Sequence, residues 1–212
     1  MGGHILGILM SDFHQEKEAP MVNKKLVSAA CVALVGSAAW LFSGTATTAK
    51  NEKPDGSDST GSRVQKGLSI APVPLNLEGK SRAQVGMGSY LVNAVGLCAD
   101  CHSCPTYTPG QNPYQGGDGS INPANYLAGG VAFGPFISAN LTPDASGNPA
   151  GFTREEFIRT IRTGHDAHDD HLLFVMPWPI LRNMNDRDLS AIYTYLSSIP
   201  HAEPGTCGGA GE

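Results

Sequence analysis

A chain of 212 residues holds one domain of ordinary size with appendages, or two small ones. Charged residues are only 16% of it while Gly (26) and Pro (15) are plentiful, which suits a loop-rich globular protein better than a helical bundle or coiled coil. The net charge of −5, with no Lys/Arg block, excludes nucleic acid as a partner, since nothing would neutralise a row of phosphates.

Residues 1–20 are expected to be a leader upstream of the natural start. Lys17-Glu18 can be encoded as AAGGAG, a ribosome-binding sequence, and Ala19-Pro20 then spaces it from the Met21 codon. From Met21 the chain runs through MVNKK, an apolar stretch LVSAACVALVGSAAWLF and small residues ending at Ala49. That is a secretory signal over 21–49, cleaved after Ala49 or else Ala46. The alternative is an uncleaved membrane anchor through residues 26–42. Cys31 is a poor lipoprotein site, because Ser28-Ala29-Ala30 lacks the usual aliphatic residue. Either way the expected location is periplasmic or otherwise extracytoplasmic, soluble or held by the N-terminus. Residues 50–74 begin KNEKPDGSDSTGSRVQK, almost without apolar side chains, and predict a disordered tether. The folded domain is expected over 75–202, followed by a tail at 203–212.

Ser81 can cap a helix RAQVGMGSYLVNAVG, with Val85, Tyr90, Leu91, Ala94 and Val95 on its apolar face. Gly86 and Gly88 weaken helix propensity, so a close crossing by another helix is expected, best supplied by the last helix of the chain. Next comes GLCADCHSCP. A zinc site wants a second ligand pair, and only Cys207 remains downstream. A redox dithiol wants a strand before it and a helix after it, whereas here a helix precedes and Pro105 follows. What remains is Cys98-x-x-Cys101-His102, the attachment signature of haem c. Two thiols three residues apart on a helical turn reach two vinyl groups, and His102 is then held beneath the iron. One motif implies one covalent haem. Cys104 and Cys207 are left over, either as two unpaired thiols or as a disulfide tying the tail beside the motif.

Residues 105–139 predict an ordered loop wrapping the haem on its proximal side. Asn140, Thr142 and Arg182 are candidate partners of a propionate. Thr153 caps a further helix with Glu156 completing a capping box, and Gly164 ends it. The run GHDAHDDH is either a polar surface loop or a zinc or copper site built from His165, His168, His171 and the aspartates 166, 169 and 170. The sixth iron ligand comes from Met176, Met184 or one of those histidines. Asn185 caps the last helix, DRDLSAIYTYLSSI, with Leu189, Ile192, Tyr193 and Leu196 as its apolar stripe.

The segments GSYLVNAVGLCADCH, ANLTPD, FTREEFIRTIRTG and MPWPILRNMNDRDLSAIYTYL, spread over residues 80–200, resemble class I cytochromes c. The resemblance is to a bacterial branch found with periplasmic alcohol and sugar dehydrogenases. It implies an all-α class I cytochrome c fold, with N- and C-terminal helices crossing over a loop-rich haem pocket. It also implies His102 and Met176 as axial ligands, a role consistent with Met176 standing ten residues before Asp186. Trp178 is expected at the porphyrin edge and Met184 in the core. With both axial positions filled and no catalytic constellation, the expected protein is a one-electron carrier rather than an enzyme. Its expected partners are redox proteins: a dehydrogenase, a quinol-oxidising complex or a terminal oxidase. The rival functions are a cytochrome subunit of a dehydrogenase complex, and a haem sensor with an exchangeable distal site.

Overall fold

The computed structural model describes residues 56–205 and residue 207. The expected leader (1–20), the signal or anchor (21–49, including Cys31 and residues 26–42) and tail residues 206 and 208–212 lie outside them. No helix among the described residues is long and apolar enough to cross a membrane.

The described chain is helix-rich, and its only sheet is one two-stranded antiparallel pair, β1 (Ala132–Phe133) with β2 (Phe136–Ile137). Its first helix corrects an expectation. Within the stretch 50–74, read as a disordered tether, Gly56–Ile70 forms α1 and packs on α2 (Arg82–Tyr90). Average polarity concealed a narrow stripe of Val64, Gly67 and Leu68. Val64 is buried, and a Cβ on Gly67 would approach the Tyr90 amide nitrogen to 2.7 Å. The Ser89 hydroxyl donates to the Gly67 carbonyl at 2.7 Å. A close crossing of this kind needs small residues and one bonded hydroxyl rather than a broad apolar face. The domain therefore starts before residue 75.

Ser81 caps α2, its hydroxyl accepting from the Gln84 amide. The two glycines of α2 serve different neighbours, where the sequence suggested one. A Cβ at Gly86 would meet the Val64 carbonyl of α1, and one at Gly88 would meet Ala191 and Tyr195 of α6 (Asp186–Leu196). So α2 lies between the two. Beyond Tyr90 the chain passes into a π-helical turn, Leu91–Val95. The turn changes the register, burying Val92 and leaving Ala94 and Val95 exposed, so the expected apolar face ends one turn early.

Asn185 caps α6 by accepting from the Asp188 amide at 2.9 Å, and Asp186 and Asp188 complement the positive end of the helix. Its buried face includes Leu189, Tyr193 and Leu196, and also Ala191 and Tyr195, which turn toward α2. Tyr195, Tyr126, Asn93 and Ser89 form a hydrogen-bonded group inside the core. α4 (Arg154–Thr163) begins at a full capping box of Thr153 and Glu156 and stops at Gly164, whose φ is +75°. Phe157, Thr160 and Ile161 face inward from it. The tail belongs to the same body. The Asn125 side chain donates to the Glu203 carbonyl at 3.2 Å, and Cys104 and Cys207 form a disulfide with Cα atoms 5.3 Å apart.

Candidate haem site

The attachment motif occupies α3 (Cys98–His102), one turn of helix. Leu97 leads into it with φ +53°, a left-handed conformation that turns the chain sharply out of the π-helical turn. His102 Nδ1 lies 2.8 Å from the Ala139 carbonyl oxygen. A carbonyl only accepts, so Nδ1 carries the proton and Nε2 keeps a free lone pair. Burial lowers the pKa of this imidazole, opposed by the Ala139 bond, so the ring is neutral and able to ligate. The backbone of the same residue is fixed too, its carbonyl accepting from the Gly129 amide at 2.7 Å.

Burial, then the neighbouring Cys101, pushes the Cys98 thiol up to about 11. Burial and then Asp100 also raise Cys101. An activated redox thiol shows the opposite shift.

Cys101 and His102 open onto a cavity of about 370 Å³. Its walls are largely apolar: Phe133 and Phe136 from the β1–β2 hairpin, Leu141, and Phe157 and Ile161 from α4. Met176 reaches it from the loop before α5 (Trp178–Leu181). Two thiols and an imidazole on one turn, an apolar slot and a thioether in its lining are a donor set that suits haem c. Cys98 and Cys101 would hold its vinyl side chains, His102 and Met176 its iron.

The other expected site residues are placed elsewhere. Asn140 is engaged with the tail: its amide donates to the Ala202 carbonyl at 2.8 Å, and its oxygen accepts from the Thr142 amide and hydroxyl. Those bonds pin the tail, and they occupy Thr142 as well. Trp178 does not line the cavity; its ring lies on Gly164, where a Cβ would strike the indole. Arg182 stacks its guanidinium over Trp178, 5.8 Å from the ring centroid. Packing against the end of α4 thus claims both residues. Met184 packs on the core and is absent from the cavity wall.

The histidine loop divides. His165 donates to the Asp170 carbonyl at 2.9 Å, and His168 lies against Phe152 with ring centroids 4.5 Å apart. His171 and Asp166 reach the cavity wall, and with Asp169 their ligand atoms lie within 4.8 Å of one another. Sequence reasoning missed the Ala139 carbonyl, which sets the His102 tautomer, and Thr160, which lines the cavity from α4. The signal for Thr160 was present, since it sits on the same inward face as Phe157 and Ile161.

A cleft of this kind with the attachment motif on its rim is the arrangement a c-type cytochrome requires. Its relatives narrow the class. Over 130 residues the chain is 34% identical to a nicotinate dehydrogenase subunit of Pseudomonas putida, covering 61% of this chain and 10% of that protein. It is 31% identical over 114 residues to the gluconate 2-dehydrogenase cytochrome c subunit of Pantoea cypripedii, covering 54% and 23%. It is 29% identical over 119 residues to the fructose dehydrogenase cytochrome subunit of Gluconobacter japonicus, covering 54% and 21%. The chain therefore matches less than a quarter of the length of these relatives, and no family model matches it. The similarity is to the branch that includes the cytochrome subunits of dehydrogenases.

Proposed function

We propose that this chain is a one-electron carrier of the class I cytochrome c fold, with a single haem c attached through Cys98 and Cys101. The observation that carries the reading is the pairing of His102, its Nδ1 committed to Ala139, with Met176 on the wall of one apolar cavity. The Cys98 and Cys101 thiols would hold the group through thioethers to its vinyl side chains, an addition that needs no oxidant. When bound, haem supplies an iron that gains and loses one electron, and His/Met ligation holds its potential high. Residues of this chain do the rest. Nε2 of His102 and the Met176 sulfur would hold the iron between them, leaving no open place for substrate chemistry. The Phe133, Phe157 and Ile161 side chains exclude water, so little solvent reorganises on electron transfer.

The dehydrogenase relatives support a dehydrogenase as electron donor, with this chain as its cytochrome subunit or its mobile partner. A quinol-oxidising complex or terminal oxidase is the proposed acceptor. Residues 21–49 would export the chain to the periplasm, cleaved or kept as an anchor.

The test is an optical spectrum of oxidised and reduced protein, followed by extraction with acidified acetone. Pigment that stays with the polypeptide is expected; colourless protein overturns the reading. Met176→Ala is expected to abolish the weak long-wavelength sulfur-to-iron band and to let carbon monoxide bind the reduced protein rapidly. Rapid binding by the unaltered chain would instead favour a haem sensor.

A further inference from the structure

Gly129 touches both partners of the hydrogen bond that sets the His102 tautomer. Its amide donates to the His102 carbonyl at 2.7 Å. A Cβ added to it would stand 2.6 Å from the Ala139 carbonyl carbon and 2.7 Å from the carbonyl oxygen. That oxygen is the one lying 2.8 Å from His102 Nδ1. Packed atoms do not approach so closely, and a peptide group, unlike the end of a long side chain, has no rotamer with which to yield.

The stretch that carries Gly129 is tied at several points. The Leu127 amide donates to the hydroxyl of Ser103, the residue after the motif, at 2.9 Å. The Leu127 carbonyl accepts from the Leu141 amide at 2.8 Å, and the Gly130 amide donates to the Ser138 carbonyl at 3.0 Å. Segment 127–131 is thus bonded both to the attachment turn and to 138–141, so it cannot move aside without loosening them. With φ +76°, Gly129 also holds a backbone conformation that strains any L side chain. Gly130 shares that strain at φ +90°, yet a Cβ there would face the tail, 3.0 Å from the Gly205 carbonyl oxygen and 3.4 Å from Pro204. The two neighbours therefore separate backbone strain from contact with Ala139.

We propose that Gly129 is a positioning residue for the axial histidine: its missing side chain lets the Ala139 carbonyl reach His102 Nδ1. The inference rests on the haem reading above. A full-strength bond at Nδ1 makes the imidazole a stronger donor through Nε2, which favours the oxidised iron. Weakening that bond withdraws the donation and favours the reduced iron.

The experiment compares Gly129→Ala with Gly130→Ala in the full haem-loaded chain. Gly129→Ala is expected to shift the reduced-to-oxidised ratio at a fixed applied potential toward reduced by roughly three- to tenfold. It is also expected to quicken solvent exchange of the His102 Nδ1 proton, followed by NMR. Gly130→Ala is expected to leave both near the parent values. If Gly129→Ala fails to fold, Gly129→Asn, which tolerates left-handed backbone but carries the same Cβ, takes its place and is read the same way. A third measurement needs no variant: in the unaltered chain the Nδ1 proton and the Gly129 amide are expected to show matched protection from exchange. Parent potential and ring-proton exchange in the Gly129 variant, or equal shifts in Gly130→Ala, overturn the inference. So does a Gly129 amide protected roughly tenfold less than the ring proton. Any of those results in coloured protein leaves the haem reading standing, whereas a colourless parent chain overturns that reading itself.

Discussion

Gly67 of α1 and Gly86 of α2 meet backbone to backbone, and a methyl group on Gly67 would strike the Gly86 carbonyl oxygen. The reverse also holds, since a Cβ on Gly86 would come within 2.6 Å of the Val64 carbonyl. Gly67→Ala is therefore expected to lower stability by about 1–3 kcal/mol, because the two helices must part to admit it. Gly61 lies in the same helix with nothing within 4 Å of its Cβ position. Gly61→Ala is expected to stabilise by ~0.5–1 kcal/mol, through helix propensity alone. Urea unfolding of the two variants beside the parent checks the pair. Equal effects would mean that α1 does not dock on α2.

A second expectation concerns the hydroxyls of the core. Tyr195 and Tyr126 place their oxygens 2.9 Å apart, and the Asn93 amide donates to the Tyr195 hydroxyl at 3.2 Å. Burial raises the pKa of both phenols, so the group stays neutral across the physiological range. Tyr195→Phe leaves the Asn93 amide and the Tyr126 hydroxyl short of a partner, and is expected to lower stability by ~1–3 kcal/mol. Adding Tyr126→Phe should cost less than the sum of the two single changes, since the hydroxyl pair they share is then lost only once. Additive losses in this double-mutant cycle would show that the hydroxyls act independently.

These two relationships show where the sequence was legible. Caps at Ser81, Thr153 and Asn185 were visible because a side chain two or three residues from its amide partner is local chemistry. The Cys98/Cys101/His102 turn was equally visible, its geometry set by helical spacing. α1 was not, because its stability comes from a crossing with residues some twenty positions away and its composition is polar on average. The contacts of Trp178, Arg182 and Asn140 were hidden for a related reason. Each has a function-like chemistry, yet tertiary neighbours (Gly164, the Trp178 ring and the Ala202 carbonyl) took it up first. The reach of Met176 and His102 into one cavity is likewise a fact of tertiary structure, which spacing only outlined.

The bridge between Cys104 and Cys207 spans a sequence separation of 103 and ties the tail to the chain two residues beyond His102. Cys207→Ser is expected to lower stability by about 2–5 kcal/mol in the loaded protein. The expectation is checked by thermal unfolding, with alkylation mass shifts before and after reductant confirming the bridge in the parent. An unreduced parent that takes up label on both cysteines would refute it.

The tail also carries a titratable clasp. His201 donates from Nδ1 to the Pro143 carbonyl and from Nε2 to Glu203, each at 2.9 Å, so the doubly protonated ring satisfies both bonds at once. Glu203 first, and then the Pro143 carbonyl, hold its pKa above the ordinary histidine value, with Asp144 adding to the same effect. A folded-state pKa above the unfolded one means that protons bind the native state more tightly. The stabilisation is then fully present below the ordinary value near 6.5 and is lost as pH rises through the raised folded value. The affected backbone is adjacent, because the Ala202 amide donates to the Thr142 hydroxyl at 3.2 Å. Between about pH 5 and pH 8, amide exchange at Ala202 is expected to quicken beyond the intrinsic pH effect as His201 deprotonates. Glu203→Gln removes the charged acceptor, so His201 should then titrate closer to its ordinary value and the extra quickening should begin at lower pH. A proton NMR titration of the His201 ring follows both, and an unshifted titration in the parent chain would show that Glu203 does not hold the ring.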